Sequence, residues 1–171
     1  MPDEVTRYTV LPRVLVFVFR DSKLLMMRYS GKGEHMSQEK ADRRDIYNCI
    51  GGHVEEGEDI LETAVKEAKQ EAGITLRSPK VKGIINVSGF AGKNVLNFIV
   101  TGETSDEAVK TTLEGDLEWV GIDDVAKLNV FPDMGEILNK LFALKNGQMF
   151  TGVAKFDGKF KLLAINLKVR N

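Results

Sequence analysis

The feature that most restricts what this chain can fold into is one stretch of helical periodicity set among short apolar runs. Between residues 59 and 72, Ile60, Leu61, Ala64, Val65, Ala68 and Ala72 recur at the spacing of an amphipathic helix, and Gly73 supplies a C-terminal stop. Residues 11–19 and 23–29 are instead rich in Val, Leu, Phe and Met around Arg20-Asp21-Ser22, the pattern of a hairpin. Residues 46–50 read as a short strand entering Gly51-Gly52, residues 81–90 and 94–102 as a second hairpin, and residues 117–122, with Trp119, as another strand. A second helix is expected over 133–144, where Ile137, Leu138, Leu141 and Leu144 share a face. A last hairpin joins 149–156 to 160–169 through Asp157-Gly158, a two-residue turn signal. The order β-β-β-α-β-β-β-α-β-β, without repeat or linker, predicts an α/β fold and a single domain over residues 1–171.

Composition narrows the partners. The 24 basic and 25 acidic side chains nearly cancel, so nothing draws the chain to a nucleic-acid polymer or an anionic membrane, and a small molecule is the expected partner. The most apolar run, residues 14–19, is far shorter than the ~20 residues of a membrane-spanning helix. Residues 1–10 show neither a basic nor an apolar leader pattern, and the lone Cys49 cannot form an internal disulfide, so a cytoplasmic location is expected. Cys49 reads as a small buried hydrophobe, and neither His35 nor His53 is given a role. The polar residues 30–45 read as a loop of the length that carries function or is mobile. A monomer and a homodimer are both compatible with these features.

Chemistry concentrates in residues 51–74. At ~100° per residue, Glu67 and Glu71 lie ~40° apart on the helix surface, so both carboxylates face the same way. Like charges at that spacing repel, which suits a divalent cation held by hard oxygen ligands. Gly52, Glu58, Glu67, Glu71 and Gly73, with the apolar Ala68 and Ile74 between and after them, resemble the Nudix box. Lys66 stands where that box has Arg and Gln70 where it has a Glu. The first change loses a planar fork that could hold a carboxylate at two points, and the second replaces a charged ligand by a neutral oxygen.

The resemblance implies an α/β/α sandwich around a mixed β-sheet, with the box as a loop-helix-loop. It implies a Mg²⁺ site, open to Mn²⁺, built from Glu67, Glu71 and the Gly52 carbonyl. Glu67, Glu71 and Glu114 are the implied catalytic residues, with Asp116 and Glu118 competing for the place of Glu114, and either Glu67 or Glu114 orienting or deprotonating the attacking water. Within the family the chain is similar to enzymes acting on oxidised purine nucleoside triphosphates: Asn48 precedes the two glycines as in those enzymes, Phe131-Pro132-Asp133 matches their aromatic-Pro-Asp segment, and residues 150–169 resemble their final hairpin. Asn48, Phe131, Asp133 and Arg28 are then the implied substrate-binding residues. Met134 departs from the pattern, since those relatives carry a second Asp there. The expected reaction is Mg²⁺-dependent hydrolysis of a purine nucleoside triphosphate to monophosphate and pyrophosphate. The alternatives are a pyrophosphatase for a nucleotide sugar, ADP-ribose or a dinucleoside polyphosphate, and a nucleotide sensor impaired in catalysis.

Overall fold

Alternation along the first strand sets the layers of the molecule. The computed structural model describes residues 7–30, 45–107, 112 and 114–171. In β1 (Leu11–Arg20), Val14, Val16 and Val18 point to one face of the sheet and Leu15, Phe17 and Phe19 to the other, as a two-residue period requires. The first row packs with Leu25 and Ile50 beneath α1 (Ile60–Glu67) and its continuation, where Ala64, Ala68 and Ala72 are fully buried. Alanine at every fourth position keeps that helix face flat and lets it lie close to the sheet. The second row packs with Leu24, Met26, Ile85 and Ile99 against Ile137, Leu138 and Leu141 of α3 (Met134–Ala143). A mixed sheet between two helical layers is the expected α/β/α sandwich.

The remaining elements are β2 (Lys23–Tyr29), β3 (Tyr47–Asn48), β4 (Ile50–His53), β5 (Arg77–Phe90), β6 (Lys93–Glu103), β7 (Gly115–Gly121), α2 (Ile122–Val125), β8 (Met149–Phe156) and β9 (Leu162–Arg170). The sheet runs β3-β2-β1-β6-β5-β8-β9, with β7 also paired to β2 and β4 to β1. The pairs β1–β6 and β5–β8 are parallel and the others antiparallel. Among the described residues, no helix is long and apolar enough to cross a membrane. Apart from its ends, the loop expected over residues 30–45 lies outside the described residues, as does His35.

Three local expectations are corrected. The single strand expected over 46–50 is two, because the chain changes partner at Cys49: Tyr47 and Asn48 pair with β2, whereas Ile50–His53 pairs with β1. The turn at 157–158 is longer than two residues. Asp157 Oδ1 accepts from the N–H groups of Lys159 (2.9 Å) and Lys161 (3.3 Å), so its side chain organises the whole 157–161 connection. The helix from residue 60 is not uniform: it starts on Asp59, whose carboxylate accepts from Leu61 and Glu62 N–H, and opens into a π-helical turn over Ala68–Ala72 before Gly73 ends it at φ 71°. The short α2 after β7 carried no sequence signal of its own.

The partner switch at Cys49 fits only because the two residues after Ile50 lack side chains. β1 and β2 pair directly only at the hairpin end, Phe19 with Leu24 and Arg20 with Lys23, and β4 runs alongside β1 where they have separated. A Cβ on Gly51 would lie 2.1 Å from the Val14 carbonyl oxygen, a contact with backbone that cannot yield. Gly57 is the contrasting case, with φ at +80° and open space around it. Gly51→Ala is therefore expected to cost roughly 1–3 kcal/mol through overpacking, and Gly57→Ala about 1 kcal/mol through the left-handed backbone alone. Urea denaturation of both variants would check this; equal losses would mean that the β1–β4 contact is not tight.

Candidate active site

The carboxylates of the helix are held by the two glycines of β4. Gly51 N–H donates to Glu71 Oε2 at 3.1 Å, and a Cβ on Gly52 would sit 2.4 Å from the carboxyl carbon of Glu67 and 2.5 Å from its Oε1. Gly52 is thus a cradle that a side chain would fill. Glu67 and Glu71 are both half-buried. Burial is the main cause that raises Glu71 to about 7, with Glu67 and Glu114 adding to it, while the Gly51 N–H and Arg13 act the other way. Glu67 is also raised, again mainly by burial.

Glu71 forms one wall of a cavity of about 280 Å³ that also takes residues from β1, β2, β4 and β6. Glu114 lines its mouth, placed by a turn in which Thr112 Oγ1 accepts from the N–H groups of Glu114 (3.2 Å) and Gly115 (3.1 Å). The competitors Asp116 and Glu118 do not line it; they pair with Arg28 at 3.2 and 3.1 Å. Arg28 itself, expected near the substrate, sits on the other face of β2 from Met27 and Tyr29, with Asp45 at 3.8 Å as a third carboxylate, and is outside the cavity wall.

Deeper in the cavity stand the other expected residues. Tyr47 N–H donates to the Asn129 carbonyl and Phe131 N–H to that of Tyr47, so the 129–131 segment is stitched to β3 and carries Phe131 and Asp133 alongside Asn48. Asn48 Oδ1 accepts from Cys49 N–H at 2.9 Å and its amide nitrogen reaches Tyr29 Oη at 3.4 Å, so it shapes the partner switch as well as lining the cavity. Phe131 is core and wall at once, in edge contact with Phe90 and Phe160 at ring-centroid distances of 5.9 and 6.3 Å. Asp133 is only 6% exposed, and burial raises its carboxyl to about 6, with Arg13 and a backbone hydrogen bond opposing. The buried thiol of Cys49 is pushed well up, as befits a packing residue.

Sequence reasoning missed two polar residues of this wall, Arg13 on β1 and Asn97 on β6. Asn97 carried a signal: it breaks the inward row Val95, Asn97, Ile99 with a buried polar side chain.

The NUDIX domain model matches residues 10–141, well over half of the chain. This chain belongs to the Nudix family. Among its relatives, the Nudix hydrolase YvcI of Bacillus subtilis is 26% identical over 130 residues, covering 73% of this chain and 81% of that protein. An asymmetrical bis(5'-nucleosyl)-tetraphosphatase of Sus scrofa is 32% identical over 95 residues, 52% of this chain and 65% of that enzyme's length. The crystal structure of a MutT protein from Bacillus halodurans superposes with a TM-score of 0.76 at 25% identity, covering 93% of this chain and 98% of that one. The chain is a hydrolase of a family that acts on nucleoside diphosphate-linked substrates, generally with divalent cations.

The Nudix box departures can now be placed. Lys66 forms an ion pair with Glu58, whose carboxylate also accepts from the Thr63 hydroxyl and the Glu55 N–H, each at 3.1 Å. Those two donors supply hold that a single ammonium lacks; Lys66 first, then the Glu55 N–H and the Thr63 hydroxyl, keep Glu58 below the usual carboxylate range against the opposing effect of burial. Gln70 is exposed and outside the cavity wall.

The raised Asp133 carboxyl makes a stability prediction. The folded state keeps a proton there that the unfolded chain releases near pH 3.8, so stability falls as pH rises from about 4 to about 6 and stays reduced above that. Asp133→Asn removes this loss, and its melting temperature is expected to gain on that of the native protein between pH 4 and pH 7. A constant difference across that range would show that Asp133 ionises as freely as an exposed carboxylate.

Proposed function

We propose that this Nudix hydrolase cleaves the α–β anhydride of a purine nucleoside triphosphate, oxidised purines included, releasing monophosphate and pyrophosphate. The observation that carries this reading is the continuity of one cavity from Glu71 and Glu114 to an aromatic pocket holding Asn48, Phe131 and Asp133. One end suits polyphosphate chemistry and the other a flat heterocycle with hydrogen-bonding edges.

The residues present fit a divalent cation. Glu67, Glu71 and the Gly52 carbonyl offer hard oxygens, and the Gly52 cradle leaves room for the Glu67 carboxylate against the backbone. Among the described residues no three His, Cys, Asp or Glu side chains form a complete cage. Mg²⁺ is commonly held by one or two carboxylates plus substrate phosphates and water. When bound, Mg²⁺, or Mn²⁺ in its place, neutralises phosphate charge and keeps both carboxylates ionised. Glu114 orients the attacking water and takes up its proton, because it lines the cavity whereas Glu67 lies against Gly52. Asn48, Phe131 and Asp133 fix the base, and with it the direction in which the phosphates leave the pocket.

Likeness to the Sus scrofa tetraphosphatase supports a second substrate, a dinucleoside polyphosphate. Product analysis separates the two: monophosphate plus pyrophosphate from a nucleoside triphosphate, or two nucleotides from the dinucleoside.

Glu71→Gln is expected to lower kcat by ~10²-fold or more, with an unchanged circular dichroism spectrum. Turnover by the native protein in EDTA would overturn the metal-dependent reading. Gly52→Ala gives a sharper result. The three atoms nearest that Cβ all belong to the movable end of Glu67, so thermal stability should change little while the Mg²⁺ concentration for half-maximal rate rises. If that concentration stays the same, Glu67 does not serve the ion.

A further inference from the structure

Among the described residues, two buried side-chain nitrogen or oxygen atoms lack a hydrogen-bond partner: Arg13 Nε and Asn97 Oδ1. They are not scattered. Arg13 and Asn97 are direct cross-strand partners in the parallel β1–β6 pair, and both line the cavity that holds Asp133. Asn97 is 8% exposed and occupies an inward position that its neighbours Val95 and Ile99 fill with apolar side chains. A buried donor and a buried acceptor left unpaired each cost stability, and two on adjacent strands at one cavity point to a partner that enters it.

We propose that Arg13 and Asn97 are a specificity-determining pair that reads the edge of the base, Arg13 Nε–H donating to a carbonyl of the ligand and Asn97 Oδ1 accepting from an adjacent N–H. The inference rests on the reading of the cavity as a nucleotide site and adds residues to it. Asn48 Oδ1 already accepts from Cys49 N–H, so the unpaired atoms of this wall are one donor, Arg13 Nε, and one acceptor, Asn97 Oδ1, with the Asp133 carboxylate as a further acceptor in the same lining. The complement is an edge with one acceptor and two donors, the set carried by a 2-amino-6-oxopurine. A 6-aminopurine edge offers a single donating group and leaves one protein acceptor unpaired. The rings of Phe90, Phe131 and Phe160, packed edge to face, supply the apolar walls such a plane requires.

The test is binding of GMP and AMP to the full chain in EDTA, by calorimetry, so that neither metal nor turnover enters. The native protein should prefer GMP, and Asn97→Leu should weaken GMP roughly tenfold or more while shrinking the preference over AMP. Arg13→Met removes the donor instead, and should lose the same preference. A second readout excludes a purely structural role: without ligand, Asn97→Leu should melt at the same temperature as the native protein or higher, since it removes an unpaired acceptor. Unchanged GMP affinity in both variants, no binding of either nucleotide by the native protein, or a lower ligand-free melting temperature for Asn97→Leu would each overturn the proposal. Hydrolysis is scored separately. Loss of GMP affinity in a protein that cleaves no triphosphate defeats the proposed reaction and leaves this pair standing, and the reverse outcome defeats the pair alone.

Discussion

Everything in the site depends on how closely a two-residue stretch of bare backbone can be pressed between the sheet and a helix. Gly51 lies against the Val14 carbonyl and Gly52 against the Glu67 carboxylate. Any side chain at the first would push β4 off β1, and any at the second would displace the acid. From the other side, Ala64, Ala68 and Ala72 keep the helix low over the same strand. The Gly51 N–H then finds Glu71 at 3.1 Å, so a hydrogen bond ties the sheet to the last turn of the helix.

The helix solves a spacing problem in doing so. Neighbouring strand residues are ~3.3 Å apart, whereas side chains four apart on an α-helix are separated by about one turn, 5.4 Å. Here carboxylates four apart in sequence meet adjacent backbone positions. The π turn over Ala68–Ala72 lies between them and widens the helix where Glu71 projects, with Ile74 N–H reaching back to the Ala68 carbonyl. Single π turns of this kind cluster at functional sites because they re-aim one side chain without ending the helix.

What was legible in the sequence follows from the range of the interactions involved. The long helix, the hairpins and the spacing of Glu58, Glu67 and Glu71 are local patterns, and they stand in the structure where the periodicity put them. The split at Cys49 was not legible, because which strand a residue pairs with is decided by partners far along the chain, here β1 and β2. The turn at 157–158 misled because the short-range signal omits the Asp157 side chain, which binds N–H groups further on. Arg28 stands outside the cavity wall for an electrostatic reason that local pattern does not carry: Asp45, Asp116 and Glu118 pair with it on the other face of β2. The α/β/α sandwich and the family were readable; the wall of the cavity was only partly so, since Arg13 and Asn97 become neighbours through β1–β6 pairing that no local pattern specifies.

That pairing explains how the two ends of the cavity belong together. Burial raises both Glu71 and Asp133, and Arg13 opposes the rise at each. One cation thus acts on both acids of the cavity wall, in surroundings where screening by water is weak. β1 lies inside the sheet, with β4 and β6 on either side of Arg13, and that placement is what brings Arg13 beside both acids.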